Sequence, residues 1–285
     1  MKAERFGAVA SRLESTLGRC VEAPDVELIH DVRTGSRRLD AALDALERET
    51  CETAATRRSA AKLRKQLKRI RERAGRVRDL DVHRGLLAKM HAEGDSRAVQ
   101  EEIAGLDAAL AERRARRAAK FQQRAGKWLA KLERRAGNLL GAVREAGDPP
   151  VEAEAAELAL ASFAGLCGEI PVLDVGNLHA FRKGAKHARY LAEGGEDAWS
   201  RRTAKRLKRV QDAIGVWHDW LVLAEEARDA AGGRQTELVK RVEACRDRQF
   251  GSAMKAAGCV RQDLMEEWER FGRKKEARTE WRKTA

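Results

Sequence analysis

The stretch HDVRTGSRRLDA at residues 30–41 returns as HAFRKGAKHARY at 179–190, keeping a histidine, an arginine at plus three and another cation at plus seven. A second pair follows in the same order. LRKQLKRIRERAGRVRDLDV at 63–82 aligns with TAKRLKRVQDAIGVWHDWLV at 203–222, matching Lys65 with Lys205, Leu67 with Leu207, Lys68 with Lys208, Arg69 with Arg209, Gly75 with Gly215 and Asp79 with Asp219. A third, weaker echo pairs RRAAKF at 116–121 with CRDRQF at 245–250. Three echoes in one order point to a tandem duplication, which constrains the chain to two like halves.

Those halves read as helical. With four prolines, six phenylalanines and one tyrosine in 285 residues, β-branched and aromatic side chains are too scarce to build many strands. Alanine, leucine, arginine, glutamate and lysine favour helix instead. Breakers fall at EAPD near 22, HAEGDS near 91, EIPVLDVGN near 169, AEGGED near 192 and AAGG near 230. The GDPPV run at 147–151 sits near mid-chain, and its two adjacent prolines forbid a continuous helix. The expected organisation is one all-α domain of repeat halves 1–146 and 151–285, joined at 147–150. Its economical architecture is two antiparallel four-helix bundles related by internal pseudo-twofold symmetry.

Several classes are disfavoured. The five cysteines, at 20, 51, 167, 245 and 259, are widely spaced, odd in number and without a C-x-x-C, which argues against a zinc site or a disulfide framework and suits a reducing cytosol. No apolar stretch approaches the roughly 18 residues of a membrane span, and the opening MKAERFGAVASRLESTL has no apolar signal region. The expectation is a soluble cytoplasmic protein without a membrane partner. Lysine plus arginine number 58 against 45 acids, a net charge of +13, which directs attention to a polyanion.

Helical geometry shows where that charge points. At about 100° per residue, His30, Arg33 and Arg37 fall within an arc of about 60°, opposite Ile29, Val32, Leu39, Leu43 and Leu46. His179, Arg182, Lys186 and Arg189 cluster in the same way, opposite Leu178, Phe181, Ala185 and Ala188. Lys62, Lys65, Lys68, Arg69 and Arg76 share one face of the next helix, and Arg201, Arg202, Lys205, Lys208 and Arg209 share its counterpart. Such faces are either solvated surface or anion-binding. Few acids lie nearby, so packing these faces together would be repulsive without an anion among them. Arginine offers phosphate a planar fork, and lysine offers a point charge. Metal binding by the histidines is not favoured by the spacing, since neither a histidine nor a carboxylate follows at plus four. Neither histidine has a neighbouring nucleophile and orienting acid, so no catalytic residues, cofactor or metal are expected. The densest basic stretch, 112–135, forms a single stripe that includes Arg117 and Arg124.

The ordered double set of H-x-x-R-x-x-x-[RK], an L-K-R helix and G-x-x-[RH]-D resembles the CHAD family, the conserved-histidine α-helical domain, over about residues 5–275. That resemblance implies paired four-helix bundles around a basic groove or pore that binds inorganic polyphosphate without catalysis, and association with polyphosphate granules and other granule proteins. Carried onto this chain, the implied phosphate contacts are His30, Arg33, Arg37, Arg38, Lys65, Lys68, Arg69, His179, Arg182, Lys183, Lys186, Arg189, Lys205, Lys208 and Arg209. Lys62, Arg117, Arg124, Tyr190, Arg202 and Arg246 are candidates to extend the surface, the alternative for the 112–135 stripe being a solvated face. Gly75 and Gly215 are expected to permit close helix approach or a bend, and Asp79 and Asp219 to pair with an arginine or imidazole. The second reading is a nucleic-acid-binding helical protein, disfavoured because the faces have few base-stacking aromatics other than Tyr190, which leaves nucleic acid as a non-specific competitor; the third is a polyphosphate-processing enzyme, disfavoured because the faces offer few acids to hold a metal. Two departures from the family pattern stand out: Asp40 occupies the place of Arg189, and His218 the place of Arg78. The second motif therefore reads as the stronger half of a phosphate clamp.

Overall fold

The computed structural model describes residues 2–48, 53–90, 95–146, 155–195 and 197–284. Among these the chain is all-α. Its eight helices are α1 (Lys2–Glu22), α2 (Val26–Arg48), α3 (Ala54–Ala88), α4 (Arg97–Ala146), α5 (Ala155–Glu169), α6 (Leu178–Ala192), α7 (Ala198–Ala230) and α8 (Glu237–Thr284). The breaks after α1, α3, α5, α6 and α7 fall at breakers named above, whereas the one between α2 and α3 falls at none of them. Between α7 and α8, Gly232 and Gly233 take φ of 61° and 79°, a region that glycine enters without steric penalty. The expected junction at 147–150 lies outside the described residues.

The chain forms two compact units, Met1–Glu152 with Val222–Val242, and Ala153–Leu221 with Glu243–Ala285. In the first, α1 to α4 share one core, with Phe6, Leu13 and Leu17 from α1, Ile29, Val32 and Leu39 from α2, Leu63, Leu67 and Ile70 from α3, and Phe121, Ala125 and Leu132 from α4. In the second, α5 to α8 do the same through Leu160 and Phe163, Leu178 and Phe181, Leu207, Val210 and Trp217, and Ala253, Ala257 and Leu264. Burying each large apolar side chain is worth about 1.5–3 kcal/mol, so these stripes rather than helix propensity hold the helices together.

Buried residues recur at the offsets of the two sequence echoes. Ile29, Val32, Leu39 and Leu43 of α2 correspond to Leu178, Phe181, Ala188 and Ala192 of α6; Leu67, Ile70, Ala74 and Val77 of α3 correspond to Leu207, Val210, Ile214 and Trp217 of α7. The third echo needs correction. Pairing 116–121 with 245–250 would put exposed Arg124 on buried Ala253, whereas the cores align when Phe121, Ala125, Trp128 and Leu132 are set against Ala253, Ala257, Val260 and Leu264.

Residues 222–242, which the sequence halves place in the second repeat, belong to the first compact unit. Their buried Leu223, Ala224, Ala227, Leu238, Val239 and Val242 account for this, together with polar ties. Arg241 pairs with Asp95, Arg113 pairs with Glu226, and the Leu238 amide donates to Glu102 Oε2 at 3.3 Å. Four cysteines in the described residues are free thiols, and burial pushes the Cys20 thiol up to about 11. No described helix is long and apolar enough to cross a membrane.

Candidate phosphate-binding faces

Asp25 accepts from the Leu28 amide at 2.7 Å, capping the start of α2 and setting the phase that brings His30 to the surface. Arg33 and Arg37 follow on the same side and are half-buried. The Arg33 guanidinium lies against Gly75 of α3, where an added Cβ would be 2.7 Å from Nη1, and Nη1 donates to Asp79 Oδ1 at 2.9 Å. Gly75 thus makes room for a side chain rather than for a helix backbone. With the Asp79 side chain 55% exposed, the ion pair orients Arg33 more than it stabilises the fold, a contribution of about 0.2–1 kcal/mol.

The second unit repeats this device. An added Cβ at Gly215 would meet Arg182 Nη2 at 2.7 Å, and Arg182 Nε donates to the Gln211 carbonyl at 3.2 Å. A loop turn held by Asp174, which accepts from the amides of Gly176 and Asn177 at 2.8 and 2.9 Å, leads into α6 and places His179 in its first turn.

The position at which the repeats differ, Arg78 against His218, acts on the motif histidine in both units, through its charge in the first and by ring contact in the second. The pKa of His30 is lowered, first by burial and then by the Arg78 charge, against the opposing pull of Asp31 and Glu27. In the second unit the rings of His179 and His218 lie 4.1 Å apart. Sequence matching marks this position as a departure without showing that it faces the histidine. The antiparallel register of α2 on α3 and of α6 on α7 supplies that.

On α3 Lys62, Lys65, Lys68 and Arg69 are exposed, and on α7 Arg202, Lys205, Lys208 and Arg209 are exposed. Among the described residues no carboxylate pairs with Lys65, Lys68, Arg69, Lys205 or Arg209, whereas Lys208 pairs with Asp212 one turn on, an acid the sequence reading did not count. Of the acids near the first face, Asp40 pairs with Arg71 at 2.8 Å, and Asp44 and Glu47 both pair with Arg64, holding its guanidinium above its ordinary pKa, while Glu72 is exposed on α3. Asp40 therefore stands in an ion pair instead of opposing the cationic face.

Three residues are placed differently from expectation. Arg189, read as a phosphate contact, is buried at 6% exposure, pairs with Glu193 at 3.2 Å and lies over the Tyr190 ring, 4.4 Å from its centroid. Tyr190 is itself buried and offers no surface for stacking. Arg189 and Tyr190 both stand in the last turn of α6, where the guanidinium is held between Glu193 and the Tyr190 ring. Arg38 is exposed, but it lines a groove of about 370 Å³ between α1 and α2 with Arg5, Arg12 and Asp31, one side round from Arg37. Among the remaining residues, Lys183 is exposed and Lys186 half-buried, Arg246 is half-buried and pairs with Asp247, and Arg117 and Arg124 are exposed on α4. Among the described residues no three of His, Cys, Asp and Glu gather as a metal site would require.

Two solved structures resemble this one. The CHAD domain from the plant Ricinus communis superposes with a TM-score of 0.59 at 21% identity, covering 91% of this chain and 89% of its own. PptA from Streptomyces chartreusis gives 0.60 at 17% identity, covering 92% and 99%. At such identities the likeness speaks to fold. A search of curated proteins found no match. The family model for the CHAD domain matches residues 5–228, a span containing both histidine helices and both lysine helices, and on that match the chain belongs to the CHAD family.

Proposed function

We propose that the protein is a non-catalytic binder of inorganic polyphosphate, acting in the cytoplasm at polyphosphate granules, where other granule proteins are its natural neighbours. The observation that carries this reading is the pair of cationic helix faces in the first unit, His30, Arg33 and Arg37 on α2 and exposed Lys65, Lys68 and Arg69 on α3, repeated in the second by His179, Arg182 and Lys186 on α6 and Lys205 and Arg209 on α7, with Asp40 and Asp44 engaged by Arg71 and Arg64. Phosphate oxygens suit these donors, because charge-assisted hydrogen bonds to arginine and lysine are about twice as strong as neutral ones. An anion against His30 would oppose the burial and the Arg78 charge that disfavour its proton. The reading as a binder rather than an enzyme rests on how few carboxylates these faces carry, since phosphoryl transfer draws on metal-holding acids.

The expected behaviour is tight binding of long-chain polyphosphate that weakens steeply with salt, through counterion release. Arg37→Ala or Lys186→Ala should each reduce the salt slope by about 0.7 unit, the value for one contact to a flexible strand, and polyphosphate should outcompete DNA at equal phosphate concentration. Titrations at low and moderate ionic strength decide the matter. Absence of binding at low salt, or sustained phosphate release in magnesium abolished by His30→Ala, would overturn the proposal.

A further inference from the structure

Charge along the seam between α3 and α4 is arranged in a way that the histidine motifs do not account for. Lys62, Arg69 and Arg76 recur every seven residues on α3, and Arg117, Arg124 and Lys131 recur every seven on α4. Seven residues make about two turns, so each set forms a line with a step of about 10.5 Å. All six side chains are exposed.

Hydrogen bonds fix the two lines side by side. Arg117 Nη1 donates to the Arg76 carbonyl at 2.9 Å, and Arg135 Nη1 donates to the Lys62 carbonyl at 2.8 Å and to Gln66 Oε1 at 3.3 Å. The helices run antiparallel, so these contacts bring Arg76 level with Arg117, Arg69 with Arg124 and Lys62 with Lys131. The result is a ladder of three double-cation rungs. Its positive field is felt at Arg135, whose pKa is lowered by burial and then by Arg134 and Arg69.

Acids do not neutralise the ladder. From 57 to 78 the sequence of α3 contains one acid, Glu72, on the ladder's flank; from 113 to 135 that of α4 contains one, Glu133. Glu133 is turned toward α1, where it raises the pKa of Glu14 behind the larger effect of burial, and Glu112 just ahead of the stretch pairs with Arg116. Nor does the fold require the ladder. At the positions that align by burial, the second unit has Arg202, Arg209 and Val216 on α7 and Gln249, Ala256 and Asp263 on α8. No exposed aromatic stands among the rungs, because Trp128 and Phe121 point into the core. A base-stacking nucleic-acid surface would carry such rings.

We propose that this seam is a second, linear anion track about 21 Å long, occupied by a long phosphate chain in addition to the histidine face. The proposal rests on the polyphosphate reading above, and chain length separates the two. Tripolyphosphate is too short to engage both surfaces, whereas a long chain engages the histidine face and the ladder together.

The experiment measures binding of tripolyphosphate, long-chain polyphosphate and single-stranded DNA by the full chain. It compares the unaltered protein with R124Q/K131Q, R124E/K131E and the charge-retaining R124K/K131R, leaving Arg117 in place to brace α3. Expected results are unchanged tripolyphosphate affinity, about tenfold weaker long-chain binding for the neutral pair and more for the reversed pair, and a salt slope shallower by about 1.4 units, as loss of two contacts to a flexible strand implies. The charge-retaining pair should bind long chains normally. Long-chain binding that is indifferent to both charge changes, at unaltered melting temperature, would overturn the track. So would equal weakening for both chain lengths, or weakening confined to DNA. If the unaltered protein binds neither phosphate chain, the polyphosphate reading falls and the track with it; if it binds both and charge reversal does nothing, the track alone falls.

Discussion

Gly75 and Gly215 look, in the sequence, like points of helix approach, and each turns out to seat an arginine from the neighbouring helix. An arginine side chain is flexible, so a methyl at Gly75 would push Arg33 aside and strain its bond to Asp79 without moving backbone. Gly75→Ala is therefore expected to lower stability by about 1 kcal/mol, with overpacking outweighing the helix-propensity gain. In an Arg33→Ala background the same substitution should become neutral or stabilising, by up to about 1 kcal/mol, because the seat is empty and alanine is the better helix former. Denaturant melts of the four proteins give this cycle directly. Identical effects in both backgrounds would mean that the glycine serves something other than Arg33. The motif arginine and the glycine were both legible as repeated letters. That they touch was not, because each contact joins residues more than thirty positions apart.

Helix pairing in the first unit depends on polar ties as well as on the apolar stripe. Arg84 grips Asp107 with two bonds, at 2.8 and 3.0 Å, and Arg114 reaches Asp81 at 2.9 Å and the Pro24 carbonyl at 3.1 Å, linking α4 to α3 and to the α1–α2 loop. The Asp81 side chain is nearly buried, at 4% exposure. Removing its partner leaves a carboxylate without compensation, so Arg114→Met should destabilise by about 2–4 kcal/mol, somewhat below a fully buried pair because Arg114 is partly exposed. Asp81→Asn in the Arg114→Met background should recover part of the loss. Chemical denaturation measures both, and a loss below about 0.5 kcal/mol would mark the pair as ordinary surface chemistry. At this scale the breakers located most helix ends, since proline, glycine and clustered polar residues act locally, but they left α2 and α3 undivided. The sequence misaligned the third echo because a hexamer of common residues carries little register information, whereas the buried stripe carries it over four turns.

At the scale of the whole molecule, the first compact unit draws residues 222–242 from far along the chain, and His83 lies where that segment joins it. His83 is buried at 3% exposure. Burial holds its pKa below the ordinary histidine value of 6.5, with Asp79 and Glu226 pulling upward and Arg113 and Arg117 downward. In the unfolded chain it recovers an ordinary value and takes up a proton first on acidification. Its contribution to stability is thus fully present above about pH 6.5 and is lost as pH falls toward the depressed folded value. Melting temperature should decline through that window, and His83→Gln should flatten the decline while leaving the melt at neutral pH within a few degrees. A His83→Gln protein with an unchanged pH profile would place the acid sensitivity elsewhere. The sequence by itself determined the helical class, most helix boundaries and the side of each helix on which the cations stand, because periodicity and breakers are properties of neighbouring residues. Tertiary structure alone decided that Arg189 is buried, that Asp40 is engaged by Arg71, that position 78 or 218 faces the motif histidine, and that two heptads of cations on α3 and α4 form one ladder. Each of those depends on the register between helices, which is set by core packing and by long-range ion pairs rather than by any one stretch of chain.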